Sequence, residues 1–304
     1  MFKVGYITVV GKPNAGKSTL VNKLVGFKVA ITTPKPQTTR FNIKGIITTK
    51  TSQMIFTDTP GVHTPKNKLG QYMIKSVLEA IKAVDVIIYL VDGTRPKIDF
   101  ANEKIMQDIV NSKKKTILVI NKIDKIEKSK ILNIIKMYTD YIEKIGGEFV
   151  EVIPISVYKE DGLDILVKNI EKYLPEGEMI YGEDDITDIT ERELVEEIIR
   201  EKALNNLDEE VPHGIKVEVE KFKKRKNKNK QAVYDIDVSI ICEKMSHKGI
   251  IIGKEGKMLK KIGMESRVEI EKMLEDKVNL QLWVKVRNNW QENDLYLNDI
   301  KNKI

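Results

Sequence analysis

Residues 11–18 read Gly11-Lys12-Pro13-Asn14-Ala15-Gly16-Lys17-Ser18, followed by Thr19. The spacing G-x-x-x-x-G-K-[ST] is that of a loop that cradles phosphates. Its glycines let successive backbone N–H groups face one anion. Lys17 is placed to reach the β- and γ-phosphates, and the Ser18 hydroxyl to coordinate Mg²⁺. An apolar run at 4–10 precedes the loop and a helical pattern at 18–25 follows it. The phosphates would therefore sit at a helix N-terminus, where the dipole favours negative charge.

Three further clusters follow in order. Asp58-Thr59-Pro60-Gly61 closes the run 54–57. Asp58 could hold Mg²⁺ through a water, and the Gly61 N–H could bond a γ-phosphate and release it on hydrolysis. Alone, D-x-x-G is a common turn; beside a phosphate loop it reads as a switch. Asn121-Lys122-Ile123-Asp124 follows the run 116–120. The Asp124 carboxylate can accept from the N1–H and 2-amino edge of guanine, a donor pair adenine lacks. The Lys122 stem can lie along the base while Asn121 ties its loop to the phosphate loop. Without the other clusters the same four residues could be a helix start with an aspartate cap. Ser156 follows the run 149–155. It could close over the guanine or serve as a turn serine.

These clusters need elements to hold them in one place. Apolar runs at 4–10, 54–57, 84–91, 116–120 and 149–155 alternate with helical patterns at 18–25, 69–83, 101–111, 128–145 and 163–173. Strand, helix, strand, helix predicts a parallel sheet covered on both faces, with ligands beyond the carboxyl ends of its strands. Residues 29–40 carry few apolar anchors and two prolines, and read as a mobile loop.

The second half has a different pattern. Pro175, Gly177, Gly182 and an acidic cluster mark a linker. Thr190-Glu191-Arg192-Glu193 is a capping box that starts a helix over 190–206. Alternation predicts strands at 215–222 and 232–241, with the basic run 221–230 between them. That run reads as a solvated hairpin loop or as a phosphate contact. Gly253-Lys254-Glu255-Gly256 is a GXXG element, preceded by Ile250-Ile251-Ile252 and followed by a helix at 257–274 and a strand at 280–286. Alone it could be a helix–helix turn with glycine caps. In this order of elements it looks like the backbone-clamping loop of a type II KH domain, whose groove takes four bases.

The first-half series resembles the translation-factor-related GTPases. By that resemblance Thr38-Thr39-Arg40 is the first switch and Thr39 gives Mg²⁺ its second hydroxyl. Val62 stands where some of these GTPases carry a water-orienting glutamine, a role valine lacks. Asn14 resembles the asparagine that helps hold K⁺ in potassium-dependent members; its other reading is a residue that only stiffens the loop.

The two halves together resemble the Era-type family of bacterial ribosome-assembly GTPases. The matching strings are 11–18, Pro36-Gln37-Thr38-Thr39-Arg40, 58–61, 121–124, Glu197-Ile198-Ile199-Arg200-Glu201-Lys202-Ala203-Leu204, Glu210-Val211-Pro212-His213 and 252–256. Val157 departs from that pattern, where the family usually has alanine after the serine.

The resemblance implies an α/β fold: a P-loop GTPase domain, a mostly parallel sheet with helices on both faces, followed by an α+β type II KH domain. Residues 1–175 would bind GTP, 176–189 would link, and 190–304 would bind RNA. The chain would be a GTP-hydrolysing switch acting on the 3′ end of small-subunit ribosomal RNA in small-subunit assembly. GTP contacts would come from residues 11–19, Asp58 to Val62, Asn121, Lys122, Asp124 and Ser156. Lys17, Thr39 and Gly61 would carry catalysis; Ser18, Thr39 and Asp58 would hold Mg²⁺, with Asn14 the K⁺ candidate. RNA contacts would come from Gly249, Ile252, Gly253, Lys254, Glu255, Gly256 and Lys257. A monomer and a peripheral inner-membrane association also follow from the resemblance. The competing readings are a constitutive RNA-binding protein and a membrane- or cell-cycle-linked GTPase.

Composition agrees with this outline. The chain has 304 residues, which suggests about two domains at roughly 150 residues each. Its net charge is +7, distributed as +9 over residues 1–180, −9 over 183–210 and +7 over 211–304. Two basic lobes around an acidic segment point to a polyanionic partner. One cysteine, Cys242, excludes an internal disulfide and any Cys-rich zinc module, and three scattered histidines make a His-based metal site improbable. No apolar run approaches the 18 or so residues of a membrane span, so reducing cytosol is the expected compartment.

Overall fold

The computed structural model describes residues 1–33, 35, 43–60, 67–227 and 231–293, with only the backbone at His213. It divides into two compact units, the first running through Asp188 and the second starting its main body at Ile189.

In the first unit the order is β1 (Lys3–Val10), α1 (Lys17–Val25), β2 (Ile43–Thr48), β3 (Ser52–Asp58), α2 (Lys68–Ala83), β4 (Val86–Asp92), α3 (Phe100–Ser112), β5 (Lys115–Asn121), α4 (Lys128–Lys144), β6 (Glu151–Pro154) and α5 (Leu163–Tyr173). The sheet order is β2-β3-β1-β4-β5-β6. Only β2 is antiparallel to its neighbour; the other four pairings are parallel. Val86, Ile87, Ile88, Tyr89, Leu90 and Val91 are all buried. A strand covered on both faces can be apolar at every position, which is why β4 and β5 read as continuous runs. On one face Ile87, Tyr89 and Val91 pack with Val77 and Ile81 of α2, Ile105 and Ile109 of α3, and Tyr138 of α4.

Strand β2 is a short six-residue element that the sequence pattern does not single out. It turns back on β3, with Ile43 opposite Asp58 and Thr48 opposite Gln53.

Residues 176–188, expected as a linker, are instead built onto the first unit. Gly177 N donates to Phe2 O at 3.1 Å, and Ile46 N donates to Ile186 O at 2.9 Å. Gln53 is wholly buried. Its Oε1 accepts from Ile180 N at 2.9 Å and Tyr181 N at 3.0 Å, and its Nε2 donates to Tyr181 O at 2.9 Å. The segment thus satisfies backbone groups along the edge of β2, which would otherwise be an open template for pairing. Gln53→Leu leaves two N–H groups and a carbonyl without partners. It should cost about 1–3 kcal/mol and make 176–188 the first site of limited proteolysis. Denaturant titration and mapping of the first cut check this.

In the second unit α6 (Glu191–Asn206) starts at the Thr190/Glu193 capping box, in which both reciprocal bonds are present. A three-stranded sheet follows: β7 (Lys216–Lys226), β8 (Ala232–Cys242) and β9 (Lys277–Val286), in that order. β7 and β8 are antiparallel; β8 and β9 are parallel. A parallel pair needs a long crossover, supplied by α7 (Met245–Ile252) and α8 (Lys257–Leu274).

The basic run is not a loop at its start. Lys221 to Lys226 continue β7, and carboxylates from neighbouring segments meet several of these cations. Arg225 Nε bonds Asp235 at 2.6 Å, and Lys224 pairs with Asp276 at 2.8 Å. The family-specific string around Arg200 has a structural role. Arg200 and Glu197 form a buried two-pronged pair at 2.8 and 2.6 Å. Lys202 reaches Glu269 of α8, and Asn206 Nδ2 donates to Glu265 at 2.7 Å. Trp290, fully buried, donates to Gly214 O at 3.0 Å and ties the segment after β9 to the segment before β7.

Candidate functional site

The carboxyl ends of β1, β3, β5 and β6 bring four clusters together. Strand β1 delivers the loop 11–16 and α1 begins at Lys17. Lys17 is buried, and its Nζ donates to Gly11 O at 3.1 Å and Lys12 O at 3.0 Å. Burial pushes its ammonium down to about 8, while Asp58 pulls it up. Such a charge is under-compensated, so a phosphate anion placed beside it would stabilise it.

Gly16 has φ +104°, and a Cβ there would lie 2.5 Å from Asn121 Nδ2. Only glycine allows this approach. It lets Asn121 donate to Ala15 O at 2.8 Å, joining the Asn121–Asp124 loop to the phosphate loop. Asn121 Oδ1 accepts from Lys122 N at 2.7 Å and Val157 N at 3.1 Å. Val157, the departure from the family's alanine, keeps that backbone bond and is buried. Lys122 holds φ +67°, and its Nζ donates to Asn14 O at 2.9 Å.

Ser156 Oγ donates to Asp124 Oδ1 at 2.6 Å and accepts from Lys159 N at 3.1 Å. Ser156 therefore orients the carboxylate that would read guanine, a role its spacing does not disclose. Thr59 Oγ1 donates to Val9 O at 2.9 Å and is buried, which fixes the start of the Asp58 loop. Asn14 and Thr19 are exposed, while Lys12 and Pro13 are half-buried.

Ser18 Oγ donates to Asp58 Oδ2 at 2.7 Å, and Asp58 is wholly buried at the end of β3. A hydroxyl and a carboxylate oxygen this close form a hard donor set that fits Mg²⁺, which takes few protein ligands plus phosphates and water. Among the described residues there is no cluster of three or more His, Cys, Asp or Glu. Thr38, Thr39, Arg40, Gly61 and Val62 lie outside the described residues.

The second cluster lies at the turn between α7 and α8. Gly253 has φ +71° and ψ 173°, a region essentially limited to glycine. Its Cβ would meet Met258 Cβ at 2.6 Å. Glu255 sits at φ +52°, and its carboxylate accepts from Lys257 Nζ at 2.9 Å. That pairing offsets the acid at the loop tip and leaves Lys254 exposed beside it. Ile252 is half-buried, and a Cβ on Gly249 would meet open space.

Beside the turn, α8 and β9 enclose a groove of about 370 Å³. Leu259, Met264, Leu280 and Leu282 give it an apolar lining, and Lys260 and Arg267 add positive charge. Motif reading misses these residues because they lie outside the GXXG string. The signal that could find them is the helical spacing of Leu259, Lys260, Gly263, Met264 and Arg267.

Comparison with known proteins matches both units. Residues 6–122 match the family described as 50S ribosome-binding GTPase, and residues 210–291 match the KH domain family. GTPase Era of Ruminiclostridium cellulolyticum is 47% identical over 294 residues, covering 96% of this chain and 95% of that protein. The chain belongs to the Era family of GTPases. GTPase Era of Clostridioides difficile is 47% identical over 300 residues, with 98% of each chain covered. A crystal structure of Era in complex with MgGDPNP and nucleotides 1506–1542 of 16S ribosomal RNA superposes with TM-score 0.91 at 42% identity, covering 98% of both chains. A variant of Aquifex aeolicus Era bound to GDP·AlF4⁻ gives 0.90 at 42% identity, with the same coverage. As an Era-family member this chain is a GTPase with a P-loop GTPase domain and a C-terminal KH domain.

Proposed function

We propose that this Era-family GTPase is a switch in assembly of the small ribosomal subunit, in which bound GTP governs the grip of the KH unit on the 3′ end of small-subunit ribosomal RNA. The observation that carries this is the presence on one chain of a phosphate loop tied to the Asn121–Asp124 loop and of a GXXG turn beside an apolar, basic-lined groove. The structural relative at 42% identity holds MgGDPNP and 16S RNA nucleotides 1506–1542 at once.

The chemistry rests on positioning and electrostatics. Lys17 would neutralise charge on the β- and γ-phosphates. Asp124, oriented by Ser156, would select guanine. Ser18 and Asp58 would hold Mg²⁺, with Thr39 added from the first switch and Gly61 bonding the γ-phosphate. When bound, the metal would offset charge on the phosphate oxygens. Val62 offers no group to orient water, so no protein general base enters this reading. K⁺ held by Asn14 would supply a charge near the phosphates instead. Hydrolysis should then run several-fold faster in K⁺ than in equimolar Na⁺, and Asn14→Ala should remove the difference. Phosphate release measured in the two salts checks this.

A cytosolic, monomeric protein with peripheral contact at the membrane surface belongs to the same reading. One buried cysteine suits a reducing compartment. Among the described residues no helix is long and apolar enough to cross a membrane.

The test is titration of a labelled oligonucleotide of the ribosomal 3′ end against a scrambled control at fixed salt. A sequence preference of about tenfold or more supports base readout. Equal binding to both would reduce the KH unit to a backbone contact and remove the proposed RNA target.

A further inference from the structure

We infer that Asp99 is a positioning residue for GTP hydrolysis, acting through Lys12 to hold one flank of the phosphate loop. Asp99 closes the segment between β4 and α3, and its two oxygens do different jobs. Oδ1 accepts from Asn102 N at 3.2 Å and caps α3. Oδ2 accepts from Lys12 Nζ at 2.6 Å. The cap is rooted in the core. Asn102 is buried and its Oδ1 accepts from Tyr89 OH at 2.8 Å, while Tyr89 packs edge-on against Tyr138 with centroids 5.9 Å apart.

The opposite flank of the loop has its own tether. Lys122 Nζ bonds Asn14 O at 2.9 Å and Asp92 Oδ2 at 2.5 Å. Asp92 is fixed in turn by Thr94, whose N and Oγ1 donate to its Oδ1 at 2.9 and 2.6 Å. The two ends of the β4–α3 segment thus hold residues 12 and 14, on either side of Pro13, Asp99 by bonding Lys12 and Asp92 by bonding the Lys122 that reaches Asn14. The Lys12 ammonium bonds a carboxylate rather than standing free for phosphate, and Lys17 is the cation inside the loop. The Lys12 hydrogen bond also holds the Asp99 carboxyl below its ordinary range.

Catalysis by positioning makes this grip matter, because a small displacement of a phosphate-binding loop lowers the rate without removing any contacting group. The pair is partly exposed, 38% at Lys12 and 30% at Asp99, so its effect is moderate rather than absolute.

The test is a double-mutant cycle on the full chain with Asp99→Asn, Lys12→Met and the two together. Asparagine caps a helix as well as aspartate, so Asp99→Asn removes the charge and spares α3. The readouts are kcat at saturating GTP, the GDP dissociation rate and the thermal midpoint. Each single variant should lower kcat and speed GDP release by about three- to tenfold, and the double variant should be no worse than either single. The thermal midpoint should stay within a few degrees of the parent. Multiplying effects in the double variant would mean that the two residues act independently, and would overturn the inference. Unchanged kcat and GDP release in Asp99→Asn would also overturn it, and a lowered midpoint alone would leave only the helix cap.

Discussion

Asp124→Asn should weaken GTP binding by about a hundredfold or more and raise affinity for xanthosine triphosphate. The carboxylate would accept from both N1–H and the 2-amino group of guanine. An asparagine offers one carbonyl and turns an amide N–H₂ toward the other donor. Xanthine carries an oxygen at position 2, which the amide can serve. Ser156 sharpens the expectation, because its hydroxyl donates to Asp124 Oδ1 at 2.6 Å and fixes the carboxylate plane. Ser156→Ala should therefore lose part of the same selectivity without reversing it. Competition titrations with GTP, ATP and xanthosine triphosphate separate the two variants. A loss of all three nucleotides alike would mean that the loop had collapsed instead of changing its reading.

Gly253→Asp should reduce RNA affinity by tenfold or more while GTP turnover without RNA changes less than twofold. A side chain at φ +71° and ψ 173° carries roughly 1–3 kcal/mol of backbone strain. Its Cβ would also come within 2.6 Å of Met258, the second residue of α8, so the turn must shift. The carboxylate then adds a charge that repels the RNA backbone. Gly256→Ala is the graded comparison. Its φ is +73°, but a Cβ there meets nothing within 4 Å, so it should keep more RNA affinity. Gel shift and phosphate release on the same preparations check both. Unchanged RNA affinity in Gly253→Asp would remove the turn from the RNA site.

The phosphate loop and the guanine loop were legible because their chemistry requires fixed residue types at fixed spacing, at the ends of strands apolar enough to be seen. The ties between them were not, since they join distant residues one at a time. Nothing in a single sequence marks Lys12 and Asp99, Lys122 and Asp92, or Ser156 and Asp124 as partners. The segment 176–188 misled because its proline, glycines and acids read as a linker. It is held by backbone bonds and by the buried amide of Gln53, neither of which leaves a pattern. The run beginning at Lys221 also misled. Its cations read as a loop, but Asp235 and Asp276 on neighbouring segments of the fold pair with two of them and let the strand continue. One wall of the groove was hidden for a related reason, because Leu280 and Leu282 reach it from a strand beyond α8.

The most direct test of the central claim is the affinity of the full chain for the ribosomal 3′-end oligonucleotide in two nucleotide states, at one salt concentration. Coupling between sites is typically worth about 5- to 150-fold. Binding tighter by that factor with a non-hydrolysable GTP analogue than with GDP is the predicted result. Equal affinity in the two states would contradict a GTP-governed switch and leave a GTPase whose RNA grip is constitutive.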